Sequence, residues 1–150
     1  MRHSNWQFRL TELISSHKDE QFNFETLNCL FWAFKGITAV TDVDHLPEYK
    51  DKAISAKIGK RALKDIDKVA TVQECLMKRL DQTELLPIAL ARPGDIVFID
   101  DNVGGLSIQQ ELKLFGPTPG ICYGTVSYFL GEKELIAVPT IRLDNTLWVL

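Results

Sequence analysis

Apolar residues in the first part of the chain recur every three or four positions, the period of a helix buried on one side. From Ser4 to about His17 that spacing places Trp6, Leu10, Leu13, Ile14 and His17 on one face, with Ser4 and Gln7 spaced as a capping box. A polar turn, Lys18 to Gln21, leads into Phe22 and Phe24 alternating with Asn23, a short extended segment. The second helix is predicted from about Leu27 to Val40. Leu27, Leu30, Phe31 and Phe34 form its buried face, and Trp32 makes it apolar nearly all round, which marks a central helix. Thr41 to Asp44 ends it. Pro47 opens a predicted third helix through about Ile58, with Gly59 as its C-terminal cap. A fourth is predicted from Val72 to Leu80, capped by Thr71 with Glu74.

After Leu85 the pattern changes. Pro87 and Pro93-Gly94 break helices, and β-branched residues gather in short runs between turns. Arg92 to Ile99 reads as a turn feeding a buried strand, and Asp100 to Gly105 as a loop. Leu106 to Phe115 reads as a hairpin-like insertion and Gly116 to Gly120 as a turn. Ile121 to Phe129 reads as one strand kinked at Gly124. Gly131 to Glu134 turns it into Leu135–Val138, and Thr146 to Leu150 is the last strand. Helices first and antiparallel strands afterwards predict one α+β domain over residues 1–150, helical in 1–85 and sheet in 92–150.

Composition narrows the function. A net charge of −3 leaves no footprint for nucleic acid, and the basic cluster from Lys50 to Lys68 reads as solvated helix faces. Three widely spaced cysteines fit neither a zinc motif nor a disulfide framework. Asp42 and Asp44 read as turn residues, so no metal and no cofactor is expected. No apolar run approaches the ~20 residues of a membrane span, and the first residues lack a signal-peptide core, which points to synthesis and maturation in a cytoplasm.

The residue with the most chemistry is Cys29, in the first turn of the central helix after the potential caps Thr26 and Asn28. There the positive end of the helix dipole favours the thiolate, the form that attacks carbonyls. The competing reading is a small apolar residue in the core. A nucleophile would need a base. His17, twelve residues before Cys29, is the easier candidate. His45 lies past the far end of a helix of roughly 20 Å. Asp95 and Asp100 are carboxylates, poor bases for a thiol at neutral pH.

A cysteine opening a buried helix, followed by Pro93-Gly94-Asp95 at the first sheet strand, resembles the NlpC-type cell-wall peptidases, a papain-like family. The sequence resembles more closely a branch of short proteins encoded near phage tail genes. Trp6, Arg9, Leu10, Phe22, Phe24, Asn28, Cys29, Thr41, Asp44, Tyr49, Gly94, Asp95, Gly120, Ile121, Cys122, Gly124 and Trp148 follow that branch's order and spacing over nearly the whole chain. Phe24, Glu25, Asn28 and Asp42 stand where the branch usually has Trp, Gly, Asp and Gly. The resemblance implies an NlpC/papain-like fold whose base histidine would open the second strand. Thr118-Pro119 stands there instead.

The expectation is therefore a degenerate, non-hydrolytic phage tail-tip component, built in the host cytoplasm and carried in the virion tail. Its partners would be other tail proteins, with peptidoglycan as a further candidate. Asn28, Cys122 and Tyr123 would line the inherited groove, and Trp32, Trp148 and the loop Asp100–Gly105 would offer contact surfaces. One rival is an active endopeptidase or amidase on peptidoglycan stem peptides, with Cys29 as nucleophile and His17 or His45 as base. Another is a cellular peptide-binding adaptor.

Overall fold

A helix apolar on every side has to be covered on every side, and the fold is arranged around that requirement. The computed structural model describes residues 1–23, 25–52, 55–100 and 115–150. The central helix is α2 (Cys29–Thr41), in which Leu30 to Phe34, Ile37 and Val40 are all buried. Helix α1 (Trp6–Ser16) lies antiparallel along it. Arg9 of α1 donates to the Thr38 carbonyl (2.9 Å) and to Asp42 (3.0 Å), while His17 at the other end packs on Trp32. The expected Ser4–Gln7 box does not form. Asn5 takes the N-cap position without a side-chain bond, because the His3 carbonyl and ring nitrogen already accept the Trp6 and Asn5 amides.

The third helix is a correction. Leu46–Glu48 makes only a 3-10 turn, and Asp51 is left-handed (φ 67°), which stops it. Helix α3 (Ala56–Ala62) starts later, where the Ser55 hydroxyl accepts the Ile58 amide at 3.3 Å. Gly59 therefore sits inside the helix instead of capping it. The helix then widens into a π-turn (Leu63–Asp67) that Lys68 ends at φ 60°. Helix α4 (Val72–Arg79) begins at Thr71 as expected, its hydroxyl accepting the Glu74 amide at 3.1 Å.

Among the described residues six antiparallel strands form one sheet: β1 (Leu86–Pro87), β2 (Ile96–Ile99), β3 (Thr118–Cys122), β4 (Val126–Leu130), β5 (Leu135–Pro139) and β6 (Asn145–Leu147). Their order is β1-β6-β2-β3-β4-β5. The single kinked strand of the sequence reading is instead two strands, since Gly124 (φ 112°) reverses the chain and Ile121 pairs with Tyr128. Alternation then divides the side chains. Ile96, Phe98, Ile121, Leu130 and Leu147 face α2, whereas Val97, Ile99, Cys122, Phe129 and Val138 form a second layer on the other side. The α2 backbone comes close to the first face at Gly36, where a Cβ would lie 2.7 Å from Ile121 Cδ1. The mixed helix-and-sheet architecture is α+β. Phe24, Ala53, the predicted insertion before Phe115 and the loop 101–105 lie outside the described residues. Among the described residues no helix is long and apolar enough to cross a membrane.

Candidate functional site

Cys29 is the first residue of α2. Asn28 caps the helix, its Oδ1 accepting the Phe31 amide at 3.0 Å. The local geometry expected of an activated cysteine is thus present, but its electrostatic consequence is reversed. Burial pushes the Cys29 thiol up to about 11, and the amides of Leu30 and of Cys29 itself offset only part of that. Losing water costs a thiolate more than the first-turn N–H groups return. The residue is partly exposed and packs against the main core.

The three histidines divide along α2. His3 donates its backbone N–H to the Val40 carbonyl (2.7 Å) at the far end. His45 packs on Phe34 with ring centroids 5.5 Å apart, and its Nδ1 lies 3.4 Å from an Arg79 nitrogen. Burial and then the Arg79 charge hold its pKa below the usual histidine value. His17 alone lies at the Cys29 end. Its ring packs on Trp32 at 5.7 Å, one helical turn beyond Cys29. Its Nδ1 is 2.9 Å from the Leu13 carbonyl and 3.0 Å from Ser16 Oγ. Among the described residues no imidazole is hydrogen-bonded to Cys29.

The remaining candidates are spread over both faces of the sheet. Cys122 is fully buried in the second layer, on the face away from Cys29, with its thiol directed to the Gly124 carbonyl at 3.6 Å. Tyr123 lies on the α1 side, where its hydroxyl is 2.7 Å from Thr11 Oγ1 and its ring meets Tyr128 edge-on. Cys122 and Tyr123 thus face opposite ways. Trp32 is a correction: it is fully buried, its indole N–H donating to the Tyr128 carbonyl at 3.0 Å, and it cannot be a contact surface. Trp148 is partly exposed, with the Arg92 guanidinium 4.9 Å over its ring. Thr118, which stands where the resemblance leads one to expect a histidine, pairs with Ile99, and Pro119 pairs with Phe98. β4 reaches only Ile121 and Cys122, so the proline's missing N–H costs no sheet bond there.

Asp95 is a clamp. Its buried carboxylate accepts from Arg2 (2.9 Å), from the Arg92 amide (2.8 Å) and side chain (3.2 Å), and from the Val149 amide (2.9 Å). It joins the two chain ends to the start of β2.

A second polar cluster lies outside the candidate site residues singled out from the sequence. Asp67, at the end of the π-turn, accepts from Tyr49, from Arg79 (2.9 Å) and from the Cys75 thiol (3.4 Å), while Arg79 also binds Glu48 at 2.7 Å. Burial pushes Cys75 up to about 12. The cluster fastens the 3-10 turn and π-turn to α4. Cys75 and Arg79, four residues apart and hence on one helix face, were its only sequence signal.

A family model described as a domain of unknown function (DUF6950) matches residues 1–148. No curated protein and no solved structure gives a significant match.

Proposed function

Taking as premise that the chain belongs to the DUF6950 family, we propose that it is a non-hydrolytic NlpC-like domain serving as a structural component of a phage tail tip. The observation that carries this reading is the Cys29 thiol, pushed up to about 11 with no imidazole bonded to it. Thiolate attack on an amide needs both the anion and a partner to carry its proton, and Cys29 lacks both. The NlpC likeness is supported by the arrangement of its motifs. A cysteine-headed helix packs on β3 through Gly36 and Ile121, and the Gly94-Asp95 pair leads into the neighbouring strand β2. The partners are then other tail proteins, with the wall-facing surface in reach of peptidoglycan.

Two measurements test it. Purified protein should not clear a suspension of cell walls, and Cys29→Ala should behave identically. Mass spectrometry of purified particles should find the chain in the tail. Clearing that needs Cys29, or particles lacking the chain, would overturn the reading.

One observation favours the rival, an active cysteine peptidase. His17 stands at the correct end of α2, with Nδ1 held by the Leu13 carbonyl and Nε2 without a bond among the described residues. If His17 is the base, His17→Ala and Cys29→Ala should abolish clearing equally, since such residues act as a unit.

A further inference from the structure

The stretch from Lys60 to Glu74 encloses an open groove of about 910 Å³ lined by Lys60, Arg61, Lys64 and Lys68, with Asp65 and Glu74 among them. Four cations meet two carboxylates here, although the chain as a whole carries −3. Glu74 is already engaged with the Thr71 hydroxyl at 3.1 Å.

What separates this groove from an ordinary solvated lysine face is that two of its three ammonium groups, those of Lys60 and Lys68, are held. The π-turn and the left-handed Lys68 leave backbone carbonyls without helical partners. Lysines take carbonyls of this turn and of the segment that follows it. Lys60 donates to the Ala70 carbonyl and Lys68 to that of Asp65 (2.6 Å), while Lys78 beside the groove donates to that of Asp67 (2.6 Å). Each held ammonium has three N–H donors and spends one on a backbone carbonyl. The other two remain for an anion, and part of the entropy cost of fixing a long side chain is already met.

We infer that this groove binds a chain of linked phosphates, pyrophosphate or longer. The cations from Lys60 to Lys68 span roughly 12 Å of helix, more than one phosphate can bridge. Compact lysine charges suit phosphate oxygens. Among the described residues no aromatic side chain lines the groove, which gives nucleic-acid bases no stacking platform there. The inference goes beyond the tail-tip reading and does not depend on it.

The test is isothermal titration at low salt with pyrophosphate and with inorganic polyphosphate, using the native protein and the double variant Arg61→Gln/Lys64→Gln. Both side chains are exposed and neither holds the turn, so the variant's melting temperature should match the native one. Polyphosphate should bind more tightly than pyrophosphate, the double variant at least about tenfold more weakly, and affinity should fall steeply as salt rises. No binding at low salt, or equal affinity in the variant, would overturn the inference. So would tighter binding of single-stranded DNA or of anionic vesicles than of polyphosphate.

Discussion

Replacing Asp95 with alanine should show that this residue of the Gly-Asp pair holds the fold together. Its carboxylate is fully buried and bound by two arginines and two backbone amides. Removing one partner of a buried ion pair costs about 3–5 kcal/mol, because the remaining charge is stranded. Each orphaned amide adds about 1–3 kcal/mol. Solvent returns part of this, since the Arg92 side chain is 44% exposed, but the Arg2 side chain is only 16% exposed and has less access to water. A net loss of about 3–5 kcal/mol follows, a large share of the ~5–15 kcal/mol that stabilises a typical domain.

For a domain of this size that loss lowers the melting temperature by about 6–20 °C, read by far-UV circular dichroism or by urea titration with an unchanged m value. Asp95→Asn keeps an acceptor and loses the charge, so it should cost less, about 1–3 kcal/mol. Arg2→Ala and Asp95→Ala together should cost less than the sum of the two single losses, because they share one ion pair, while Arg2 also loses its bonds to the Val149 and Pro93 carbonyls. An alanine variant within about 1 kcal/mol of the native protein, or an asparagine variant as damaged as the alanine one, would refute the clamp.

With its thiol pushed up to about 11, roughly one Cys29 in a thousand is thiolate at pH 8, so alkylation of the native protein should be slow, rise about tenfold per pH unit and lose this component in Cys29→Ser. Fast labelling at neutral pH would contradict that. For Asp67, burial alone would raise the carboxyl pKa, but bonds from Tyr49, Arg79 and Cys75 hold it below the ordinary value. Its stabilising contribution is therefore full above the unfolded value, near pH 4, and is lost as pH falls through the lower folded value. Asp67→Asn should be less stable at neutral pH, with a flatter acid limb, and an unchanged limb would count against the cluster. Gly36→Ala should destabilise by about 1–3 kcal/mol through Ile121, partly offset by ~1 kcal/mol of helix propensity, and Ile121→Val should recover much of the loss.

These residues also show which parts of the molecule the sequence displays. The central helix was legible because apolarity on every side is a property of the segment itself, and so were the buried run of β2 and the β4–β5 turn at Gly131. The predicted third helix falls too early because Pro47 is a valid start signal by itself, while in the structure the start lies at Ser55. Long-range contacts decided between them: Tyr49 is drawn to Asp67, which leaves Ser55 to start the helix. Gly124 misled for a related reason, since a kink and a reversal both call for a glycine. Only the pairing partners, Tyr128 for Ile121 and Thr140 bonding Thr125, choose the reversal.

Cys29 is the clearest instance of the same division. The field of a helix end belongs to the neighbouring amides and can be read from a capping residue. The loss of water belongs to whatever folds over the site, and here α1 lies along α2 with His17 packed on Trp32. Both effects act on the same thiol with opposite sign, and the non-local one is larger. A cysteine after a good cap therefore has two possible fates, nucleophile or inert packing. On the proposed reading Cys29 takes the second, and a base such as His17 would have to come within hydrogen-bond reach of the thiol to change that.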